Sequence, residues 1–353
     1  MLKSLEIFLK NILLRIFLLI NPSNKNIEEI SFYSNSRILF IRLNRIGDAL
    51  VSTPLLSYIR EELKCKIDIL ADSRNYIVFH KADFVDNLYV FPKGIKGFNF
   101  FRSICKQNSY DAVVDLHDDI SATVSFLIAA SPAINKFGFA KGNEKIYNKT
   151  VKRPDSTTVH IVDRVLTLAK LFELELPKEK LNIIYKLLPE SLKYIDNFLA
   201  INFHTPRFLV GINISAGSDA RFWGVERYVN LINEVKKFNV NILIITAEKD
   251  YRYAEEISRK KIPIFCEKDF NKFASVVSKL NFLITPDTAV IHLASAYIVP
   301  VFGIYVRYNT TDMIWSPYNT PFEYIETTQP NLDNVSFESV RDKLIPFLSN
   351  YLK

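Results

Sequence analysis

From Arg37 onward the chain alternates short apolar runs with longer stretches whose apolar residues recur at helical spacing. The alternation predicts strands at Arg37–Leu43, Lys66–Leu70, Asn87–Val90 and Tyr110–Leu116, with helices at Ala49–Leu63 and about Ser121–Ala130. The pattern weakens over Lys141–Pro154, a helix follows at His160–Phe172, and the polar stretch ELELPKEKLNII reads as a linker. A helix at Pro189–Asn202 opens a second series, with strands at Phe208–Ile214, Asn241–Thr246, Asn281–Thr285 and Val299–Tyr305. Its further helices are expected at about Glu226–Phe238, Tyr251–Ser258 and Ala289–Ala296. Short apolar strands separated by helices indicate an α/β protein with parallel sheets covered on both faces, here two such units in tandem.

Residues 1–20 follow a different pattern. Lys3, Glu6, Lys10 and Arg15 break the segment, so it lacks the uninterrupted ~18 apolar residues that span a bilayer. Leu2, Leu5, Leu9, Ile12, Ile16 and Leu19 share one side of an imperfect amphipathic helix. Such a helix lies on an anionic membrane surface or packs against protein.

A length of 353 residues suits two domains, and 48% hydrophobic residues describe a globular chain. The net charge of +7 favours anionic partners. Cys65, Cys105 and Cys266 lie far apart without zinc-ligand spacing, and read as free thiols. No G-x-G-x-x-G follows a strand and no G-x-x-x-x-G-K-[ST] occurs, which argues against dinucleotide oxidoreductases and P-loop enzymes.

In open parallel sheets ligands bind beyond the carboxyl ends of the strands, so the corners that follow strands carry the candidate chemistry. In IRLNRIGDALVSTP a strand turns into a helix at Asp48, which could cap the helix or act as a general base, with Gly47 allowing close approach. In GINISAGSDARFWGVERY, Arg221 could grip a phosphate or be a solvated loop charge. Trp223 reads as core. Glu248, just past NILIIT, could accept from ribose hydroxyls. In ITPDTAVIHLA, Thr288 and the N–H groups of Ala289 and Val290 could form a phosphate site at a helix N-terminus, or Asp287 could simply cap it and His292 pack in it. DLHDD, over residues 115–119, reads as a cleft-facing His117 followed by a capping Asp118 or Asp119, and no metal is expected there.

These stretches together resemble glycosyltransferase family 9, the heptosyltransferases of the lipopolysaccharide inner core. RLNRIGDALVSTPLL is similar to the family's R-x-x-x-x-GD signature, NISAGSDARFWGVERY to its N-x-x-AG…W-x-x-E-R-[FY] segment, and TPDTAVIHLASAYIVPVFGIY to its D-[ST]-x-x-x-HLA segment. HIVDRVLTLAKLF is similar to the helix before the family's linker. The family often has glycine where Ala289 stands and LHG where this chain has Leu116-His117-Asp118.

The resemblance implies a GT-B architecture of two Rossmann-like, doubly wound domains facing a central cleft. Residues 37–185 would bind acceptor and residues 186–335 the nucleotide sugar, with a helix over residues 336–353 crossing back to the first domain. Asp48 becomes the catalytic base. Ser215, Gly217, Arg221, Glu248, Asp287, Thr288, Ala289, Val290 and His292 become donor contacts, and Asn44, Arg45, Arg74 and His117 acceptor contacts. The implied activity is inverting, metal-independent transfer, without cofactor, of heptose from an ADP-linked donor to a lipid-linked core oligosaccharide. Hexose or N-acetylhexosamine donors, or a sugar-nucleotide isomerase on the same fold, are the alternatives. The expected setting is the inner face of the bacterial inner membrane, with no nucleic-acid partner.

Overall fold

The computed structural model describes residues 31–92 and 94–352, together with Ile12 and Ile16. The amphipathic segment over residues 1–20 thus lies, those two isoleucines apart, outside the described residues. The chain divides into two compact units between Lys180 and Leu181.

The first unit is built on β1 (Arg37–Arg42), β2 (Lys66–Ala71), β3 (Asn87–Val90), β4 (Ala112–Asp115), β5 (Asn135–Ala140) and β6 (Lys149–Lys152). They form one parallel sheet in the order β3-β2-β1-β4-β5-β6. Helices cover both faces of central β1, so Ile38, Leu39, Phe40 and Ile41 are all fully buried. That is why its sequence runs apolar without alternation.

The second unit repeats the plan with β7 (Leu209–Asn213), β8 (Asn241–Thr246), β9 (Ile264–Cys266), β10 (Phe282–Pro286), β11 (Val301–Val306) and β12 (Phe322–Thr327). Its parallel order is β12-β11-β10-β7-β8-β9. In each unit the first and fourth strands are neighbours, and the chain winds away from them in opposite directions. The loops leaving β1 and β4, and those leaving β7 and β10, therefore lie at the switch point of each sheet, the carboxyl edge where open α/β sheets form their ligand crevice.

Several expectations need correction. The strands β5, β6, β9 and β12 and the helices Ile95–Asn108 and Phe270–Ser278 were absent from the sequence pattern. The helix expected over Ala49–Leu63 is two, Ile46–Leu50 and Thr53–Leu63. Between them the Ser52 and Thr53 hydroxyls donate to the Ala49 and Leu50 carbonyls at 2.6 and 2.8 Å, and Pro54, without an N–H, sits where the second helix needs none. Tyr185, placed at the end of the first domain, belongs to the second unit: its hydroxyl donates to Asn271 at 2.6 Å and its carbonyl accepts from Tyr297 at 3.3 Å. The C-terminal helix, Phe337–Ser349, was expected to cross back to the first domain; it belongs to the second unit, where Val340, Leu344 and Leu348 join the core. Apolar surface is what decides this, since those three residues recur at helical spacing on one face. The three cysteines are free thiols.

Candidate active site

In the first unit β1 ends at Arg42, and Leu43 to Arg45 turn the chain into the helix Ile46–Leu50, whose first turn holds Asp48. Asp48 does not cap that helix. Its Oδ1 accepts from the Arg42 guanidinium at 3.3 Å and from the Asn44 amide at 3.4 Å, and among the described residues no backbone N–H donates to it. The side chain is 17% exposed, so the carboxylate is held from beneath and reachable from solvent.

Arg42 is completely buried. Besides the carboxylate it donates to the Asp48 main-chain carbonyl at 2.9 Å and to the Leu116 carbonyl that follows β4. The Asn75 amide in turn donates to the Arg42 carbonyl at 3.0 Å. One arginine thus joins the loops that leave β1, β2 and β4.

Beside it lies a buried polar cluster. Asp115, at the end of β4, accepts from the His117 backbone N–H at 2.9 Å, from His117 Nδ1 at 2.7 Å, from Lys141 Nζ at 2.9 Å and from the Tyr147 hydroxyl at 2.7 Å. His117 Nε2 accepts from the Leu43 N–H at 3.2 Å, which assigns the proton to Nδ1 and leaves the ring neutral. Burial lowers the His117 pKa, outweighing the attraction of Asp115. Burial alone would raise the Asp115 carboxyl, but Lys141 and His117 hold it below the usual carboxylate range. His117, expected to face an acceptor, is fully buried with both ring nitrogens engaged. It positions the loop instead.

The other acceptor candidates divide. Arg45 is exposed at the N-cap of the Asp48 helix. Arg74 is exposed and pairs with Asp72 at 2.7 Å. Asn44 turns its amide to Asp48. A cavity of about 410 Å³ opens beyond β4 to β6, lined by Asp118, Asp119, Lys141, Arg153 and Ser156 among others. Arg153 and Ser156 carry no motif and were not singled out. Asp118 does not cap the next helix, since it takes a two-pronged pair from Arg153 at 3.0 and 2.9 Å; Ser121 is the cap, accepting from the Val124 N–H.

In the second unit the loops after β7 and β10 meet. Arg221, in the turn Asp219–Arg221, donates to the Asp287 carbonyl at 3.0 Å and pairs with its carboxylate at 3.0 Å. A guanidinium has five N–H donors, so N–H groups remain beyond these two bonds. Ser215 spends its hydroxyl on structure: it accepts from the Ala247 N–H at 2.8 Å and shares a bond with Thr246 at 3.1 Å. A side chain at Gly217 would meet nothing within 4 Å, so this loop passes open space.

Thr288 Oγ1 accepts from the Val290 N–H at 3.2 Å, so that N–H is not available to a phosphate as expected. The N–H groups of Thr288 and Ala289 have no intramolecular acceptor among the described residues. His292 is buried in the helix Val290–Ala296, its ring centre 6.0 Å from that of Trp315. Glu248 is exposed and pairs with Lys268 at 2.7 Å. Trp223 is core, as expected, and donates to the Val335 carbonyl at 2.8 Å. Below it Arg227 donates to the carbonyls of Trp223, Leu332 and Asp333, so the segment before the last helix buttresses the Arg221 loop. A second cavity, about 620 Å³, lies beyond β11 between Arg307, Tyr308, Thr310 and Thr328. Nothing in the sequence pattern marked it.

A sequence profile of glycosyltransferase family 9 (heptosyltransferase) matches residues 98–344. The chain belongs to glycosyltransferase family 9. Like other members of family 9 it is a glycosyltransferase with the GT-B fold class, two Rossmann-like α/β units in one chain. It is similar to the lipopolysaccharide core heptosyltransferase OpsX of Haemophilus influenzae, with 21% identity over 84% of this chain and 83% of that protein. Among solved structures, a family 9 glycosyl transferase from Veillonella parvula shares the fold with a TM-score of 0.78 at 20% identity, covering 91% of this chain and 99% of that one. The E. coli heptosyltransferase WaaC, solved with ADP, gives a TM-score of 0.70 at 15% identity over 90% of this chain and 99% of its own. The family 9 match ends at residue 344, inside the C-terminal helix.

Proposed function

We propose that this chain transfers heptose from ADP-heptose to a lipopolysaccharide core acceptor, with inversion and without a metal, using Asp48 as the base. Support for donor and acceptor comes from relatives: OpsX is a lipopolysaccharide core heptosyltransferase, and WaaC has been solved with ADP and with an ADP-linked fluoro-heptose. The family match favours transfer over the isomerase reading.

The observation that carries the proposal is the state of Asp48: a carboxylate at the crevice of the first unit, anchored on one oxygen and partly exposed. Inversion in one displacement needs a base on the acceptor hydroxyl and a stabilised leaving nucleoside diphosphate. In the second unit Arg221 and the unpaired N–H groups of Thr288 and Ala289 suit the leaving diphosphate, with Glu248 as a ribose contact. The base removes the hydroxyl proton as the glycosidic carbon accepts the hydroxyl oxygen, and the bond to the diphosphate breaks. Negative charge grows on the departing phosphate, where a guanidinium and amide dipoles oppose it.

Incubation with ADP-heptose and heptose-deficient core acceptor should release ADP and give a β-versus-α outcome opposite to the donor. In Asp48→Asn, turnover should fall about 10²- to 10⁴-fold, the usual worth of a general base, with ADP-heptose affinity within about threefold. Turnover like that of the unaltered protein would remove Asp48 from the mechanism.

A further inference from the structure

Asp48 and Asp115 both lie at the carboxyl edge of the first sheet against buried donors, but Asp115 is sealed in and saturated. Both hydrogen bonds to the Asp48 carboxylate end on the same oxygen, Oδ1. Oδ2 has no hydrogen-bond partner among the described residues. A carboxylate can take an arginine in a two-pronged pair, each oxygen on its own nitrogen, as Asp118 does with the partly exposed Arg153 at 3.0 and 2.9 Å. Arg42 does otherwise: its Nε goes to the Asp48 main-chain carbonyl and only one terminal nitrogen goes to the carboxylate.

We infer that Arg42, seconded by Asn44, is the positioning residue for Asp48, and that it sets Oδ2 as the oxygen that meets the acceptor hydroxyl. The inference rests on the reading of Asp48 as the base. Two bonds to one residue, from one rigid guanidinium plane, fix both where the helix Ile46–Leu50 starts and how the carboxylate is turned. The plane is itself fixed by the Leu116 carbonyl and by complete burial. A base that rotates freely would offer either oxygen over a wide arc, and a misplacement of about 1 Å costs on the order of 10²-fold in rate. Lysine in the same place keeps the charge but, as a point donor, cannot hold the carbonyl and Oδ1 in one plane.

The test is steady-state kinetics on Arg42→Lys, Asn44→Ala, Asp48→Asn and the two double variants. Arg42→Lys should lower kcat about 10- to 100-fold with KM for donor and acceptor within about threefold, the pattern of an interaction felt in the transition state only. Asn44→Ala, which removes the longer bond, should lower kcat about three- to tenfold with the same split. Placed on Asp48→Asn, either change should cost less than about twofold, because no base is left to position. A structural role would not give that non-additivity. Equal losses on both backgrounds, losses seen in KM, or kcat kept within about twofold in both single variants would overturn the inference while leaving Asp48 as the base. Full activity in Asp48→Asn would overturn both. Should Arg42→Lys not fold, as judged by its melting temperature, Asn44→Ala at its half-buried surface position decides.

Discussion

Replacing Lys141 by methionine should open the first unit locally and do so in a pH-dependent way. Lys141 Nζ sits 2.9 Å from Asp115 Oδ2 and 2.6 Å from the His117 carbonyl, with side-chain exposures of 3% for the lysine and 0% for the aspartate. With both partners buried, solvent screening gives no discount, and removing one side of such a pair costs about 3–5 kcal/mol. That energy corresponds to a local opening constant larger by about two to three and a half powers of ten.

The sign of the pH effect follows from the two shifts. Asp115 is held below its unfolded value near 4, so its contribution is complete above that pH and is lost as the pH falls through it. His117 is likewise lowered, so the folded protein keeps it neutral and loses stability as the pH falls below about 6.5, where the unfolded chain takes up a proton. In Lys141→Met the Asp115 carboxyl loses its main counter-charge and rises, so it protonates within the fold, and the deficit shrinks from pH 8 to pH 5. Both tryptophans, Trp223 and Trp315, lie in the second unit, so tryptophan fluorescence does not follow this event. Amide hydrogen exchange of peptides covering β4 and β5 does. A change below about 1 kcal/mol at pH 8, or an equal deficit at pH 8 and pH 5, would refute the buried-pair account.

Other predictions follow from separate contacts. A methyl at Gly138 would lie 2.6 Å from Cε1 and Cζ of Tyr147, whose hydroxyl is bound to Asp115, so Gly138→Ala should cost about 1–3 kcal/mol in the same exchange assay; unchanged protection would mean that the ring moves freely. Arg221→Gln should weaken ADP binding about 10- to 100-fold by calorimetry, the worth of a hydrogen bond to a charged group, and an unchanged Kd would exclude a phosphate contact. Deleting residues 1–20 should reduce co-sedimentation with anionic liposomes and leave turnover on a soluble acceptor intact; undiminished co-sedimentation would end the membrane reading of that segment.

The fold was read best where strands are central and buried on both faces. Asn87–Val90 and Asn241–Thr246 match the expected bounds, and β1, β2, β4, β7, β10 and β11 differ by a residue or two at their ends. Three of the four missed strands, β6, β9 and β12, are sheet edges: β6 and β12 are half-exposed and broken by charged residues, and β9 is apolar but only three residues long. The fourth, β5, is interior, but Lys136 and Gly138 interrupt its pattern. At the site, the candidate residues stand out by their place just after strands, since aspartate, arginine and threonine each also serve as a cap or a solvated charge. What the sequence could not show is which bonds those side chains already make. His117 and Ser215 proved to be occupied, and Arg42, hidden in an apolar strand as one more charged residue, proved to hold Asp48. Such pairings span from six to 74 residues in sequence and emerge only when strands align.

Both sheets share one strand order, and both place their candidate chemistry at the same address, after the first and fourth strands. On the proposed function one crevice would supply the base and the other the cradle for the leaving group, and no candidate residue serves in both. Each half can therefore drift in sequence on its own schedule. Under the proposed function, relatives of this chain are expected to differ most in the loops after β4 to β6, which would meet the acceptor, and least in those after β7 and β10, where the nucleotide would sit.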